Sequence, residues 1–432
     1  MKGASLMDSL NNNSLFIGHP YVMQVDELHS RLCAEISYLN EKKTMYFEVE
    51  NKYNDYLCVD LSDAFILAIY YFASYNGMDI VCAAPASERL LYQINRFFTP
   101  TANKMNSIHY KPIHIQATPT TIKYEANNAV GTAVSSGVDS FYSILSNFKT
   151  SYHGYDVTHL LVANLFNKYE SEEIVREKFA VLINNEKPVA DELGFDMVSM
   201  YTNHHEFWFP DYVEYYSFRI CSYVMAMQKL FHTYYISAGT MFQDSNFRSE
   251  DSTDYDVFNT AVASNDNVTF YMSGGECGRV QKIDYISDSP TVKKHLHVCT
   301  LDDHKNCSSC DKCMRTMVSL DIVGKLSNYA DIFDLKKYNA RKIKYWGKVL
   351  AEEKDNVYGV LNIELKKEAK EHGLQIPVAS YLLNWFMWTP YIFLKTVLKK
   401  SKIIKSVYYR LKIDYLVYGK EKAELYRFNK EL

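Results

Sequence analysis

The sequence predicts an α/β protein: a doubly wound parallel sheet over residues 128–328, an N-terminal α+β lobe over 1–127 and a helical C-terminal extension over 329–432. Three observations carry this reading. Short apolar runs alternate with amphipathic helical runs through the middle of the chain, as in parallel sheets whose faces are covered by helices. A strand at Thr132-Ala133-Val134 runs through a small-residue loop directly into helical spacing at Phe141, Ile144 and Leu145. Cys299, Cys307, Cys310 and Cys313 then crowd into one short stretch.

Within the N-terminal lobe, 44–50 and 56–59 read as a hairpin around Asn51-Lys52-Tyr53-Asn54-Asp55. An apolar helical run follows from Asp63 to Tyr75, then a buried strand at Ile80-Val81-Cys82. Ser87-Glu88-Arg89 opens another helix, expected to end before Pro100, and Ile113-His114-Ile115-Gln116 alternates like a strand.

In the middle segment, 159–163 reads as a strand, 172–193 as a helix and 197–200 as a strand. A helix over 212–230 and strands at 234–237 and 268–271 complete the alternation. Ligands of doubly wound sheets sit beyond the carboxyl ends of the strands, near the point where strand order reverses. The loops after Val134, Ala163, Met200 and Ser237 are therefore the expected site walls.

The loop Ser135-Ser136-Gly137-Val138-Asp139-Ser140 has the makings of an anion site. Unpaired N–H groups and the positive end of the helix dipole point at it, and three serine hydroxyls add donors. Asp139 is placed either to cap the helix or to help hold Mg2+ beside phosphates. An ordinary N-cap loop would share these features. The four cysteines suit zinc, because four thiolates close a tetrahedral shell and leave no open position for catalysis. Plain buried thiols or disulfides are the alternative, disfavoured by the clustering.

Taken together, the loop and the cysteines resemble the PP-loop ATP pyrophosphatases, a HUP-type fold, and within them the QueC-like branch of 7-cyano-7-deazaguanine synthase and its relatives. The family loop SGGxDS is matched at Ser135, Gly137, Asp139 and Ser140, with Ser136 in place of the first glycine. The cysteines match the family's zinc site in order and nearly in spacing, and the resemblance covers roughly residues 128–325. It implies ATP, Mg2+ and Zn2+ as cofactors. Ser135, Ser136, Gly137, Val138, Asp139 and Ser140 would bind the phosphates, Asn164, Leu165 and Phe166 would pack the adenine, and Gly239 and Thr240 would line the turn where nucleotide and substrate meet. Ser135, Asp139, Ser140 and Lys282 are the implied catalytic residues. Arg279 competes with Lys282 for the basic position, and only one of the two is expected to matter. A substrate carboxylate would attack the α-phosphorus to give an acyl-adenylate, and a nitrogen nucleophile would then displace AMP to form an amide or nitrile. Members of this branch also occur in anti-phage operons, so the carboxylate could belong to a small molecule or a protein, with an operon-encoded partner.

Other readings stay open. The same family hosts RNA sulfur transfer, for which Cys221 and Cys277 are the available thiols, and Ser136 leaves room for a nucleotide-binding regulator without turnover. Gln243, Asp244, Asn246 and Arg248 form a polar run suited either to substrate or to solvent. His204 and His205 adjoin one another with no third ligand at helical spacing, which favours a structural role.

Composition agrees with a folded, non-secreted chain. Its 432 residues are 47% hydrophobic and 23% charged, with a formal net charge of −4, so nothing global points to nucleic acid. The start has no basic segment followed by an apolar one, and most of the five cysteines outside the cluster read as free buried thiols, so a cytoplasmic location is expected. Near the end, 381–388 is apolar and aromatic, and Lys395, Lys399, Lys400, Lys402, Lys405, Arg410 and Lys412 follow without an acid between them. A helical hairpin covering the core is the favoured reading, ahead of an interfacial helix on an anionic membrane or a basic patch for a partner or nucleic acid.

Overall fold

The computed structural model describes residues 13–106, 109–125, 127–164, 171–207, 212–247, 255–302, 304–351 and 357–388. They form two compact units, Met1–Asp334 and Leu335–Leu432.

The first unit begins with β1 (Ser14–Ile17), β2 (Tyr21–Gln24), β3 (His29–Tyr38) and β4 (Glu41–Glu50). β3 and β4 pair antiparallel along their whole length, from His29↔Glu50 to Tyr38↔Glu41. Leu39 and Asn40 close the hairpin with φ of 52° and 103°, the two positive values that a twist-matched two-residue turn requires. The expected hairpin between 44–50 and 56–59 is thus corrected. The partner of β4 lies upstream, and Asn51–Tyr56 coils into a 3-10 turn. With no glycine at 39–40, the turn carries no strong sequence signal.

Helix α1 (Asp63–Asn76) forms where expected and ends at Gly77, whose φ of 70° lets its N–H reach Ala73 O and Ser74 O. After β5 (Asp79–Cys82) and β6 (Ala86–Ser87), α2 (Glu88–Gln93) continues through a π turn at Ile94–Phe98 into α3 (Thr99–Met105). The helical path therefore does not stop before Pro100. Pro100 directly follows the π turn, in the first turn of α3. The short strands β7 (Ile115–Gln116) and β8 (Pro119–Thr120) follow.

The alternation of the middle segment is observed: β9 (Ala129–Ala133), α4 (Val138–Ser146), β10 (His159–Ala163), α5 (Glu172–Leu193), β11 (Asp196–Thr202), α6 (Tyr212–Ala226), β12 (Phe231–Ser237), α7 (Asp256–Ala263) and β13 (Thr269–Ser273). These five strands are parallel and lie in the order β13-β12-β9-β10-β11. Strand order reverses between β9 and β12, which makes that crevice the switch point. Flanking helices form two packed groups, one including α1, α6 and α7, the other α4 and α5 with α8 (Arg279–Ile286), α9 (Pro290–His295) and α10 (Asp311–Ile322).

The sheet does not end at β11. Met200↔Val49, Tyr201↔Glu48 and Thr202↔Phe47 pair β11 antiparallel with β4, and the sheet runs on through β3, β1, β5 and β7 to eleven strands including β2. The N-terminal segment thus shares one sheet and one core with the middle segment, with no break at 127/128. The compact unit extends to Asp334, partly because the buried Tyr329 hydroxyl donates to Ser287 O.

The second unit contains α11 (Leu335–Ala351), α12 (Val357–Glu371) and α13 (Val378–Leu383), which ends in a π turn at Asn384–Trp388. Gly347 of α11 lets α13 come close, since a Cβ there would stand 3.2 Å from Leu383 Cβ and 3.3 Å from Ser380 O. The basic run 395–412 lies outside the described residues. Among the described residues no helix is long and apolar enough to cross a membrane.

Candidate functional site

The small-residue loop leaves β9 at the switch point and turns into α4. Gly137 is the N-cap residue, extended at φ −82°. Ser140 Oγ donates to Ala133 O at 2.9 Å and accepts the Ser135 N–H at 3.2 Å, which folds the loop back on its own strand. Thr132 Oγ1 donates to Tyr235 O at 3.0 Å, tying β9 to β12 just below.

Asp139 lies in the first turn of α4 and meets two cations from α8. Arg279 Nη1 is 2.8 Å from one carboxylate oxygen and Lys282 Nζ 3.0 Å from the other. Burial works against ionisation, but the Arg279 and Lys282 charges outweigh it and hold the Asp139 carboxyl at about 2. Lys282 is almost fully buried and also donates to Ala238 O at 2.6 Å. One ammonium group therefore bridges the loop after β9 and the loop after β12, across the crevice where strand order reverses. Gly274, at φ 84° just after β13, leaves room for it: a Cβ there would stand 3.0 Å from Lys282 Cε. Both candidates for the basic position thus contact Asp139.

Helix α10 adds two further cations. Although Lys312 is exposed overall, burial around its ammonium and the neighbouring Arg279 push its pKa below the usual lysine value, with Asp139 opposing. Arg315 is buried nearby and acts on Lys312 in the same direction. The Lys312 signal was present in the sequence, since this lysine stands between Cys310 and Cys313.

Ser136 is 4% exposed and has φ 50°, the left-handed region that disfavours every residue but glycine. Its Oγ donates to Glu186 Oε2 at 2.6 Å, and its carbonyl accepts the His297 N–H at 2.8 Å. Glu186 lies deep in α5 and was not singled out from sequence, because one glutamate in a charged helix looks like any solvated residue. Burial pushes its carboxyl up to about 7.

The sulfurs of Cys299, Cys307, Cys310 and Cys313 lie within 4.8 Å of one another, so the four can hold a metal ion such as zinc. Cys307 Sγ and Cys313 Sγ are 3.9 Å apart, against about 3.8 Å for the edge of a tetrahedron with Zn–S bonds of ~2.3 Å. Backbone N–H groups approach three sulfurs: Leu301 to Cys299 at 3.4 Å, Cys310 to Cys307 at 3.3 Å and Cys313 to Cys310 at 3.5 Å. Asn306 braces the cluster by donating to Leu296 O and accepting from the Val298 N–H. Cys310 is the N-cap residue of α10, so the cluster sets where that helix starts.

Other expected site residues are placed differently. Asn164 is fully buried at the end of β10. Its side chain exchanges hydrogen bonds with Thr202, and its carbonyl accepts from Arg219 Nη2 and the Tyr223 hydroxyl, both at 2.8 Å. Neither its side chain nor its carbonyl is open to a purine. Leu165, Phe166 and Arg248 lie outside the described residues. Gly239 and Thr240 follow β12 beside Ala238, with open space around Gly239. His204 is buried against Phe47 and Tyr223, and burial lowers its pKa well below the usual histidine value, as in a core histidine. Cys221 is fully buried with its thiol pushed far up, whereas Cys277 is half-buried in the loop before α8.

A separate cavity of about 510 Å³ opens over β3, β4 and β11, lined by Arg31, Glu48, Arg176 and Tyr201. Its two arginines are engaged by Glu48 at 2.7 and 2.9 Å. No protein-family model matches the chain, and no curated protein or solved structure matches it either.

Proposed function

We propose that this chain is an ATP-dependent, adenylate-forming enzyme of the PP-loop, QueC-like type, with a HUP-type core and a structural zinc. The observation that carries the reading is Lys282, buried at the switch point and bound both to Asp139 of the serine loop and to Ala238 O. Arg279 joins it on Asp139, and Lys312 and Arg315 of α10 lie close enough to act on the same charges, a basic surrounding that suits a polyanion on a helix N-terminus.

In this reading the β- and γ-phosphates lie on the backbone donors of 135–140, leaving the α-phosphorus exposed toward Gly239 and Thr240. A carboxylate oxygen attacks that phosphorus, the bond to the bridging oxygen of the β-phosphate breaks, and pyrophosphate leaves with its charge stabilised by the fixed donors. The nitrogen nucleophile then adds to the acyl carbon and AMP departs. Arg279 and Lys282 already engage both oxygens of Asp139, so Mg2+, which would help neutralise the phosphates, would reach this carboxylate only by displacing one of them. The zinc, held by the four cysteines, would fix the start of α10 and so the position of Lys312 and Arg315.

The test is pyrophosphate release from ATP with a panel of carboxylates, in the wild type and in Asp139→Ala and Ser140→Ala. Loss of release with retained circular dichroism supports the reading; unchanged release in both variants rejects it. Sulfur transfer would need an accessible thiol, and Cys277 is the one suited to it. Loss of activity in Cys277→Ala, with thiolated RNA as product, would favour that alternative.

A further inference from the structure

We infer that Glu186 is a positioning residue for the loop at 135–140: it holds Ser136 in a left-handed backbone conformation that a glycine would adopt unaided. The consequence for nucleotide binding rests on the function proposed above, whereas the backbone restraint itself does not.

Three observations point to this role. Ser136 has φ 50°, where a Cβ crowds the neighbouring carbonyl, so some contact must compensate. The compensating contacts grip it from two directions: the 2.6 Å hydrogen bond from Oγ to Glu186 on α5, and the 2.8 Å bond from the His297 N–H to its carbonyl on the segment leading to Cys299. Finally, Glu186 is 2% exposed on a helix whose other buried residues are Val175, Phe179, Val189 and Ala190. A carboxyl among those apolar residues costs stability unless it is hydrogen-bonded, and Ser136 supplies the partner. Core packing would be served better by an aliphatic residue, so the glutamate is explained by the loop it reaches rather than by its own helix.

A left-handed residue among right-handed or extended neighbours is the backbone element from which concave anion sites are built, so the restraint on Ser136 bears on phosphate binding in the function proposed above.

A double-mutant cycle tests this, with binding of a non-hydrolysable ATP analogue read by calorimetry and melting of the nucleotide-free protein read in parallel. In the wild-type background Glu186→Ala is expected to weaken the analogue about tenfold, the size of a left-handed penalty no longer offset. In the Ser136→Gly background, whatever its own affinity, the same change should matter less than about twofold, because glycine needs no restraint. Glu186→Gln keeps an acceptor and should stay within about threefold of wild type. Equal losses from Glu186→Ala in both backgrounds, or none in either, would overturn the inference, since a residue that only fills the core would act alike in both. If the wild type binds no analogue, the proposed function falls, and the melting cycle decides the restraint alone by the same criterion of unequal shifts.

Discussion

Replacing Lys282 by methionine removes one charge and two hydrogen bonds while keeping most of the side-chain length and packing. The ammonium lies 3.0 Å from Asp139 Oδ1 and 2.6 Å from Ala238 O, with 3% of the side chain exposed. Breaking a buried pair costs about 3–5 kcal/mol when the partner is stranded. Asp139 is not stranded, because Arg279 remains at 2.8 Å and a quarter of the aspartate side chain faces solvent. The expected loss is therefore about 2 kcal/mol, including the Ala238 carbonyl left without this donor. For a unit of this size that is a fall of about 3 °C in Tm by differential scanning calorimetry. Asp139→Asn supplies the control: if the two groups act through each other, the double variant should fall short of additivity by about 1 kcal/mol or more. Acid provides a second reading of the same pair. Asp139 titrates at about 2 in the folded state and nearer 4 when unfolded. The pair's contribution is complete above about pH 4 and lost as pH falls through 2, and that window should narrow upward in Lys282→Met. Additive losses together with unchanged nucleotide binding would refute the argument and leave Lys282 a packing residue.

Metal analysis should find about one zinc per chain, and Cys310→Ser should lower both metal content and Tm; a metal-free protein with wild-type melting would contradict this. Glu186 has a folded pKa of about 7 against an unfolded value of about 4.5, so the folded state keeps a proton that the unfolded state has released. Its stability contribution is fullest below about pH 4.5 and declines as pH rises through 7, by up to about 3 kcal/mol. Denaturant midpoints of the wild type should fall across that range while those of Glu186→Gln stay flatter; parallel profiles would refute the assignment. Leu39→Asn combined with Asn40→Gly should raise Tm, by about 1 kcal/mol of relieved strain, because both positions have positive φ. Gly131→Ala in β9 would bring a Cβ within 2.7 Å of the Phe231 and Tyr234 rings, both fully buried, and should cost about 1–3 kcal/mol in chemical denaturation.

The parallel half of the fold was legible because its elements are set by local pattern. Five apolar strands and the helices between them announce themselves by period, and α5 spans the same residues, Glu172–Leu193, that periodicity marks out. The cysteine cluster was equally plain, since three of its four members follow one another with two residues between each. The N-terminal hairpin was misread because its turn uses Leu39 and Asn40 without a glycine, and because β3 carries Arg31 and Glu35 among its buried residues. Asn164 was nominated by its place at a strand end, but sequence position does not reveal that Arg219, Tyr223 and Thr202 already occupy its carbonyl and side chain.

By itself, then, the chain determined where strands, helices and the serine loop form, because dihedral preference, apolar period and capping act over a few residues. Tertiary structure alone decided which strand pairs with which across long separations, so that β4 extends the sheet beyond β11 and no boundary falls at 127/128. It also decided the charge state and partners of the site. Lys282 meets Asp139 from 143 residues away and Glu186 meets Ser136 from 50. Pairings of that kind are fixed by how the packed layers close, and burial then sets the energies of their charges, neither of which is written into any local run of residues.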